Sequence, residues 1–355
     1  MTARRVVAFG GGHGLSASLR ALRHCAPELD LDITAVVTVG DDGGSSGRLR
    51  AERGGLPPGD LRQALVALAG DHPATRRSAG LFQHRFAAVP AGVPRLGGAD
   101  PDPAATDDPD RDGAAPSGTD GASAGIDGLA GHAVGNLVLC GLMELLGDPV
   151  AALEHAGAML GTVGRVLPMS RQPVGIEARV RGVDPAAPDE VRTVRGQHQV
   201  AVTTGRVESL RLTPAAPAAC AEAIEAIMAA DWLIFGPGSW YTSVLPHLLV
   251  PQLADAIVST AARRLVTLNL AAEKETLGLS AADHLAALRW YLAELKVDLV
   301  LADALAVGDP EPVERAAESL GARLVLAPVA VTDGTPRHDP AALGAALVPV
   351  LGADR

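Results

Sequence analysis

The sequence predicts an α/β protein with a mostly parallel sheet, helices on both faces and an inserted antiparallel β lobe. Three observations carry this. A β-branched run, a glycine-rich string and an amphipathic stretch open the chain as β-loop-α-β; strand and helix patterns alternate again after residue 218; and between Val163 and Thr213 the period shortens to two. At 355 residues the chain is long for one compact unit and short for three. A single α/β domain over 1–96 and 129–355, with the lobe at 163–213, accommodates the pattern.

Arg4 to Phe9 reads as a buried strand, Leu15 to Cys25 as a helix, and Asp32 to Val39 as a second strand. Asp60 stands where an N-cap belongs, ahead of Leu61, Leu65 and Leu68, and Gly70 is placed to close that helix at C′. A further helix is expected over Thr75 to Ala88. The stretch from Gly97 to Gly128 has one large aliphatic residue, Ile126, and eight Asp against one Arg, so most of the chain's net charge of -11 sits there. Such a segment cannot bury enough apolar surface to offset its ordering entropy, and a disordered acidic insert is expected. Helices follow at Gly131 to Leu146 and Pro149 to Leu160, then the alternating lobe. The remainder reads as helix 218–229, strand 232–235, helix 242–248, strand 265–268, helix 281–295, strand 299–301, strand 323–326 and a final helix after Asp339.

Composition excludes more than it assigns. No Lys/Arg cluster tracks a phosphodiester backbone, so nucleic acid is not an expected partner. Cys25, Cys140 and Cys220 are odd in number and far apart, which fits small core residues and neither a disulfide framework nor a zinc site. The apolar run at the N-terminus is too short for a signal-peptide core, and Gly236, Pro237, Gly238 and Pro246 interrupt the longest apolar stretch well below membrane-spanning length. A cytoplasmic location without a membrane span is the expectation.

Five strings could carry function. GGGHGLS, Gly10, Gly11, Gly12, His13, Gly14, Leu15 and Ser16, follows a strand and opens a helix, the setting in which glycines let backbone amides and the helix dipole approach a phosphate. No Lys-Ser/Thr pair follows, so it is not a Walker A loop. DDGGSSGRLR sets Asp41 and Asp42 beside Gly43, Gly44, Ser45, Ser46 and Arg48 after the second strand; both acids are expected to face the first loop, where they could hold Mg²⁺ or a ribose hydroxyl, and a solvated acidic turn is the plain alternative. PPGDLRQ could bring Arg62 near an anion, with Asp60 better read as a helix cap. GHAVGN puts His132 and Asn136 four apart on one helical face. FGPGSWYTS, with Gly236, Pro237, Gly238 and Ser239, is a second strand-to-glycine-loop-to-helix junction. No nucleophile elbow, HExxH or metal-spaced Cys/His cluster is present.

In their order and spacing these strings resemble the gluconeogenesis-factor (YvcK-like) family, a branch of the superfamily that also contains the 2-phospho-L-lactate transferases. The resemblance runs from Val6 to about Asp298 outside the acidic insert. It implies a Rossmann-like fold and binding of a nucleotide-type ligand, UDP-N-acetylglucosamine above all, with roles in central carbon metabolism, peptidoglycan precursor supply and cell shape. It carries over Gly10–Gly12, Gly14–Ser16, Asp41–Ser46, Arg48, Asp60, Arg62, Gly131, His132, Gly135, Asn136 and Gly236–Ser239 as the matching loop residues. Family members usually have Thr where this chain has His13, and Gln-Pro-Gly-Glu-Thr where it has Glu273-Lys274-Glu275-Thr276. Two functions follow: a UDP-sugar-binding regulator that alters contact with a partner enzyme, or a transferase in which Asp41 and Asp42 hold Mg²⁺ against a diphosphate, with GDP the corresponding ligand. NAD-dependent redox chemistry is a third reading of the glycines alone, and a homo-oligomer is compatible with all three.

Overall fold

The computed structural model describes residues 3–88 and 128–353. The expected disordered insert at 97–128 lies, but for its last residue, outside the described residues.

Seven strands form one all-parallel sheet: β1 (Arg4–Gly10), β2 (Leu31–Val37), β3 (Arg165–Pro168), then β7 (Trp232–Phe235), β8 (Arg263–Thr267), β9 (Leu299–Asp303) and β10 (Arg323–Ala327). Between them, β4 (Gly175–Arg181), β5 (Val191–Arg195) and β6 (Arg206–Thr213) build a separate antiparallel sheet in the order β5-β4-β6. The large sheet is ordered β10-β9-β8-β7-β1-β2-β3. The chain therefore winds outward from β1 through β2 to β3, returns, and winds the other way from β7. A topological switch point falls between β1 and β7, and in open α/β sheets the crevice beyond the strand ends at such a point is where ligands bind.

The helices follow the expected rhythm: α1 (Gly12–Leu29), α2 (Gly44–Arg53), α3 (Pro58–Ala67), α4 (Pro73–Gln83), α5 (Val134–Leu146), α6 (Pro149–Leu160), α7 (Gln197–Ala201), α8 (Ala221–Ala229), α9 (Leu245–Leu248), α10 (Pro251–Ser259), α11 (Ala281–Tyr291), α12 (Ala304–Val307), α13 (Glu311–Ser319) and α14 (Pro340–Gly352). Their apolar stripes cover a sheet whose central strands are buried on both faces, as an all-parallel sheet requires. Leu15, Leu19 and Leu22 of α1 and Leu61, Leu65 and Leu68 of the α3 segment are among the fully buried side chains.

Several expectations need correction. The lobe was expected to begin at Val163, but β3 pairs parallel with β2 and belongs to the main sheet, its run RVLP being buried where the lobe strands alternate. Asp60 does not cap α3: Pro57 is the N-cap residue, and Asp60 sits inside the first turn, buried. Gly70 is not the C′ residue, because α3 ends at Ala67 and Leu68 takes the C-cap. The helix expected to reach Ala88 stops at Gln83, and α10 and α13 are helices that periodicity did not separate from the strands around them. Cys25 and Cys220 are buried as expected, whereas Cys140 is only half-buried; all three are free thiols. No described helix is long and apolar enough to cross a membrane.

At the switch point, Phe9 of β1 stacks on Phe235 of β7 with ring centroids 4.8 Å apart and planes 6° from parallel, and His247 meets Phe9 edge-on at 5.4 Å. These rings seal the seam directly beneath both glycine loops. Phe9→Ala should cost about 3–5 kcal/mol of stability in a urea titration, the range for a large aromatic removed from a packed core.

Candidate functional site

Because every strand of the large sheet runs the same way, the loops after β1, β2, β7 and β8 all emerge at one edge. The first, Gly10 to Gly14, turns directly into α1, which begins at Gly12, so Gly12, His13 and Gly14 form the first helical turn and carry its orphan amides. Gly10 and Gly11 are buried, Gly12 and Gly14 half-buried, and His13 exposed. A Cβ at Gly14 would run into the carbonyl of Pro237 and the Cα of Gly238, so glycine here is what lets the two loops touch. Leu15 and Ser16 turn inward: Leu15 packs under Gly10, and Ser16 is buried against α3, its hydroxyl reaching the Gln63 carbonyl at 3.4 Å. The side chains of those two pack inward.

A polar cluster lies beside the first loop. Asp60 receives the Thr38 hydroxyl at 3.0 Å and the amide of Gly12. A Cβ on Gly11 would come within 2.5 Å of its carboxylate, which explains that glycine. Burial pushes the Asp60 carboxyl up to about 7, the charge of Asp41 pushes the same way, and Thr38, Gly12 and Arg62 pull against them. Asp41 is likewise raised by burial, held by the Gly43 amide at 2.9 Å and by Ser46. Gly59 lets Asp41 and Ser46 close against α3, because a Cβ there would collide with Ser46 Oγ and Asp41 Oδ2.

Arg62, 3% exposed, donates from Nε to Asn136 Oδ1 at 2.8 Å. Burial lowers its affinity for its proton to a pKa of about 10, and Asp60 and Asp41 oppose that shift. Asn136 passes the network on, Nδ2 donating to Ser45 Oγ at 3.0 Å, and Ser45 meets His132 Nδ1 at 2.9 Å. Gly135 allows α5 to rest on Arg62, whose Cδ would stand 2.8 Å from any Cβ placed there. Burial and the nearby Arg48 charge disfavour a protonated His132. Arg48 itself reaches the Ala130 carbonyl at 2.8 Å, fixing the turn ahead of His132.

The structure thus brings Asp41, Ser45, Ser46, Asp60, Arg62, His132 and Asn136 together around Gly11, Gly12 and Gly59. Two expectations fail in detail. Asp42 turns its carboxylate to the lobe, accepting the backbone amide of His198 at 2.9 Å in the first turn of α7, while its charge still acts on Asp41. The charge of Asp41 also reaches Asp60. His132 and Asn136 do meet on Ser45, but His132 precedes α5 and does not lie on its face.

The second loop is braced by Asn269, which no motif singles out, and by Glu275, from the Glu273–Thr276 run that stands where the family has Gln-Pro-Gly-Glu-Thr. Asn269, just past β8, donates to the Gly238 carbonyl at 2.9 Å and accepts its amide at 2.8 Å. Glu275, 2% exposed, takes the Ser239 hydroxyl at 2.5 Å and the Tyr241 amide at 2.9 Å through one oxygen, while its other oxygen is buried without a partner. Burial lifts its carboxyl to about 7. Gly236 has φ of 72°, and a Cβ there would lie 2.8 Å from the Thr267 carbonyl. Instead of an ordinary α-helical turn, a π-helical turn, Trp240–Val244, follows Ser239, and short π segments recur at functional sites. For Asn269 the signal is position alone, just past the carboxyl end of β8, whereas Glu275 lies in the run set against the family's Gln-Pro-Gly-Glu-Thr. Among the described residues, no group of three or more His, Cys, Asp or Glu is placed to hold a metal.

Fold and site define a doubly wound α/β protein in which two touching glycine loops flank a buried acid-arginine cluster at the sheet's switch point. The family model described as 2-phospho-L-lactate transferase CofD matches residues 6–324. A Mycobacterium tuberculosis relative is 46% identical over 353 residues, covering 98% of this chain and 91% of its own. The gluconeogenesis factor of Bacillus subtilis is 34% identical over 322 residues, covering 90% of this chain and 84% of its own. A crystal structure of a Bacillus halodurans member of the UPF0052 family superposes with a TM-score of 0.75 at 31% identity, covering 98% of this chain and 99% of the other. The chain belongs to the gluconeogenesis-factor (YvcK-like) family, within the CofD-like superfamily.

Gly14→Ala should force the loops apart and destabilise the protein by about 1–3 kcal/mol, measured by denaturant titration, because backbone and not a mobile side chain blocks the new methyl. For Glu275, the folded carboxyl titrates near 7 and the unfolded one near 4.5. Below 4.5 both states are protonated; between the two values the folded chain keeps a proton that the unfolded chain has released. Its contribution to folding is therefore full in acid and lost as pH rises through about 7. Glu275→Gln should be more stable than the parent at pH 8, by on the order of 3 kcal/mol, and no more stable at pH 4.5. Thermal melts of both proteins across that range check it.

Proposed function

We propose that the protein is a regulator that binds a nucleotide diphosphate-linked sugar of the UDP-N-acetylglucosamine type at the switch point, and that occupancy is what a partner enzyme reads. One observation carries this: the first turn of α1, an 18-residue helix, opens beside the second glycine loop at the carboxyl edge of an all-parallel sheet. Asp60 takes the Gly12 amide, and among the described residues no acceptor is bonded to the amides of His13 and Gly14. Those two amides and the helix dipole suit a phosphate oxygen. Arg62 and Asn136 supply charge and hydrogen bonds at the same place. Membership in the gluconeogenesis-factor family supports a role linking carbon metabolism to cell-wall precursor supply and cell shape, exercised in the cytoplasm. No nucleophile or dedicated base is required.

The acidic pair favours a second reading, a transferase of the 2-phospho-L-lactate type. Asp41 and Asp60 offer hard oxygen ligands of the kind Mg²⁺ prefers, replacing the expected pair Asp41 and Asp42, and their raised affinity for protons fits two buried carboxyls that a cation would relieve. Bound there, Mg²⁺ would neutralise a diphosphate. The carboxylates would orient it, and Arg62 would add positive charge on the same side.

Calorimetry with UDP-N-acetylglucosamine, GDP and NAD, each with Mg²⁺ and with EDTA, separates the readings. Micromolar UDP-sugar binding that survives EDTA, without turnover, is the expected result. Gly12→Val, at a residue with φ of 56°, should lose at least tenfold in that affinity. Mg²⁺-dependent GDP binding with consumption of a lactyl-diphosphate donor would replace the regulator with the transferase, and preferential NAD binding would overturn both.

A further inference from the structure

Helices α4 and α5 form an antiparallel pair. The chain leaving α4 bonds to the chain entering α5: Val134 donates to the His84 carbonyl at 2.9 Å, Phe86 to the His132 carbonyl at 3.1 Å and Gly131 to the Phe86 carbonyl at 2.8 Å. A surface helix ordinarily sets charged residues opposite the core. α5 does not. Its sequence, VGNLVLCGLMELL, holds one charge, Glu144, and the positions across the helix from buried Leu139 are Leu137, Gly141 and Leu145, at i, i+4 and i+8. Leu145 is 79% exposed, exceeded among the described residues only by Leu305, and Leu146 and Leu81 of α4 are exposed beside it.

Gly141 has no explanation within the chain. A Cβ there would meet nothing within 4 Å, its φ is not left-handed, and a glycine inside a helix costs about 1 kcal/mol against alanine. A small residue in an outward apolar stripe suits the close approach of another helix. Charge is laid out along the same stripe. Arg85, exposed, is tied to the start of α5 by its bridge with Ala133 and by donating to the Gly131 carbonyl at 3.1 Å. Glu144, exposed and met loosely by Arg53 at 3.9 Å, stands about 16 Å further along the helix from Ala133, at 1.5 Å per residue.

Turning a second copy over about an axis beside Leu139 sets Leu137 of each copy over Gly141 of the other and brings Arg85 to Glu144 at both ends. The helix dipoles then run antiparallel, as they prefer. The face complements itself, which is what a two-fold contact demands. We infer that it is where a second copy of this chain docks, α5 against α5. The apolar stripe supplies affinity, and the charges fix the orientation. The acidic segment from Gly97 to Gly128 is not the occupant, because Ile126 is its one large aliphatic residue and the stripe needs several. Asn136, which holds Arg62, lies on the inward side of α5, so one helix serves both the contact and the buried cluster.

Sedimentation equilibrium of the full chain at micromolar concentration tests this, with twice the mass of one chain expected. Gly141→Arg places a good helix former in open space, so it should keep the helical circular dichroism of the parent and weaken association at least tenfold. Arg85→Glu and Glu144→Arg should each weaken it at least fivefold, and the two together should restore it, which damage to either helix would not do. Leu305→Arg, at an exposed leucine away from this face, should associate as the parent does. A parent of single-chain mass, or a Gly141→Arg chain that still pairs, would overturn the assignment. A double charge reversal no better than its singles would overturn the antiparallel arrangement.

Discussion

The contact of two backbones, Gly14 against Pro237 and Gly238, is the constraint around which the switch point is organised. It joins the loop that leaves β1 to the loop that leaves β7, the two strands between which the winding reverses. Neither loop could approach so closely with a side chain at Gly14. Beneath the contact, Phe9 stacked on Phe235 fixes the strands; above it, Asn269 holds Gly238 by both its amide and its carbonyl. The position of the first turn of α1, and with it the direction of its unbonded amides, follows from these three supports.

The buried cluster beside that turn is electrostatically expensive on its own. Asp60 and Arg62 are both nearly inaccessible, yet no ion pair closes between them; each is held by neutral partners, Thr38 and Asn136. Isolated buried charges shift toward neutrality, and the raised Asp60 and lowered Arg62 do so. Strongly perturbed groups cluster at functional sites, and here they gather at the carboxyl edge of a parallel sheet.

Much of this architecture was legible in the residues. β1, β7 and α6 fall where β-branched runs and helical periodicity place them, and the glycine strings mark both loops of the switch point. What was misread shares one cause, that tertiary contacts overrule local pattern. Asp60 has the local look of a helix cap, but Thr38 and the Gly12 amide, distant in sequence, draw it into the interior. The RVLP run resembles its lobe neighbours until its parallel pairing with β2 is seen. Glu275 stands in a run that the sequence marks only by its departure from the family's loop, and its hydrogen bonds to Ser239 and Tyr241 give it its place.

The acidic dipeptide after β2 faces two ways. Asp41 turns toward the polar cluster, while Asp42 grips the backbone of α7 in the antiparallel lobe. A single peptide plane therefore belongs to two bodies at once, like the pin of a hinge. Rotating that plane to improve the fit on one side must loosen it on the other, so the lobe and the sheet edge cannot adjust independently.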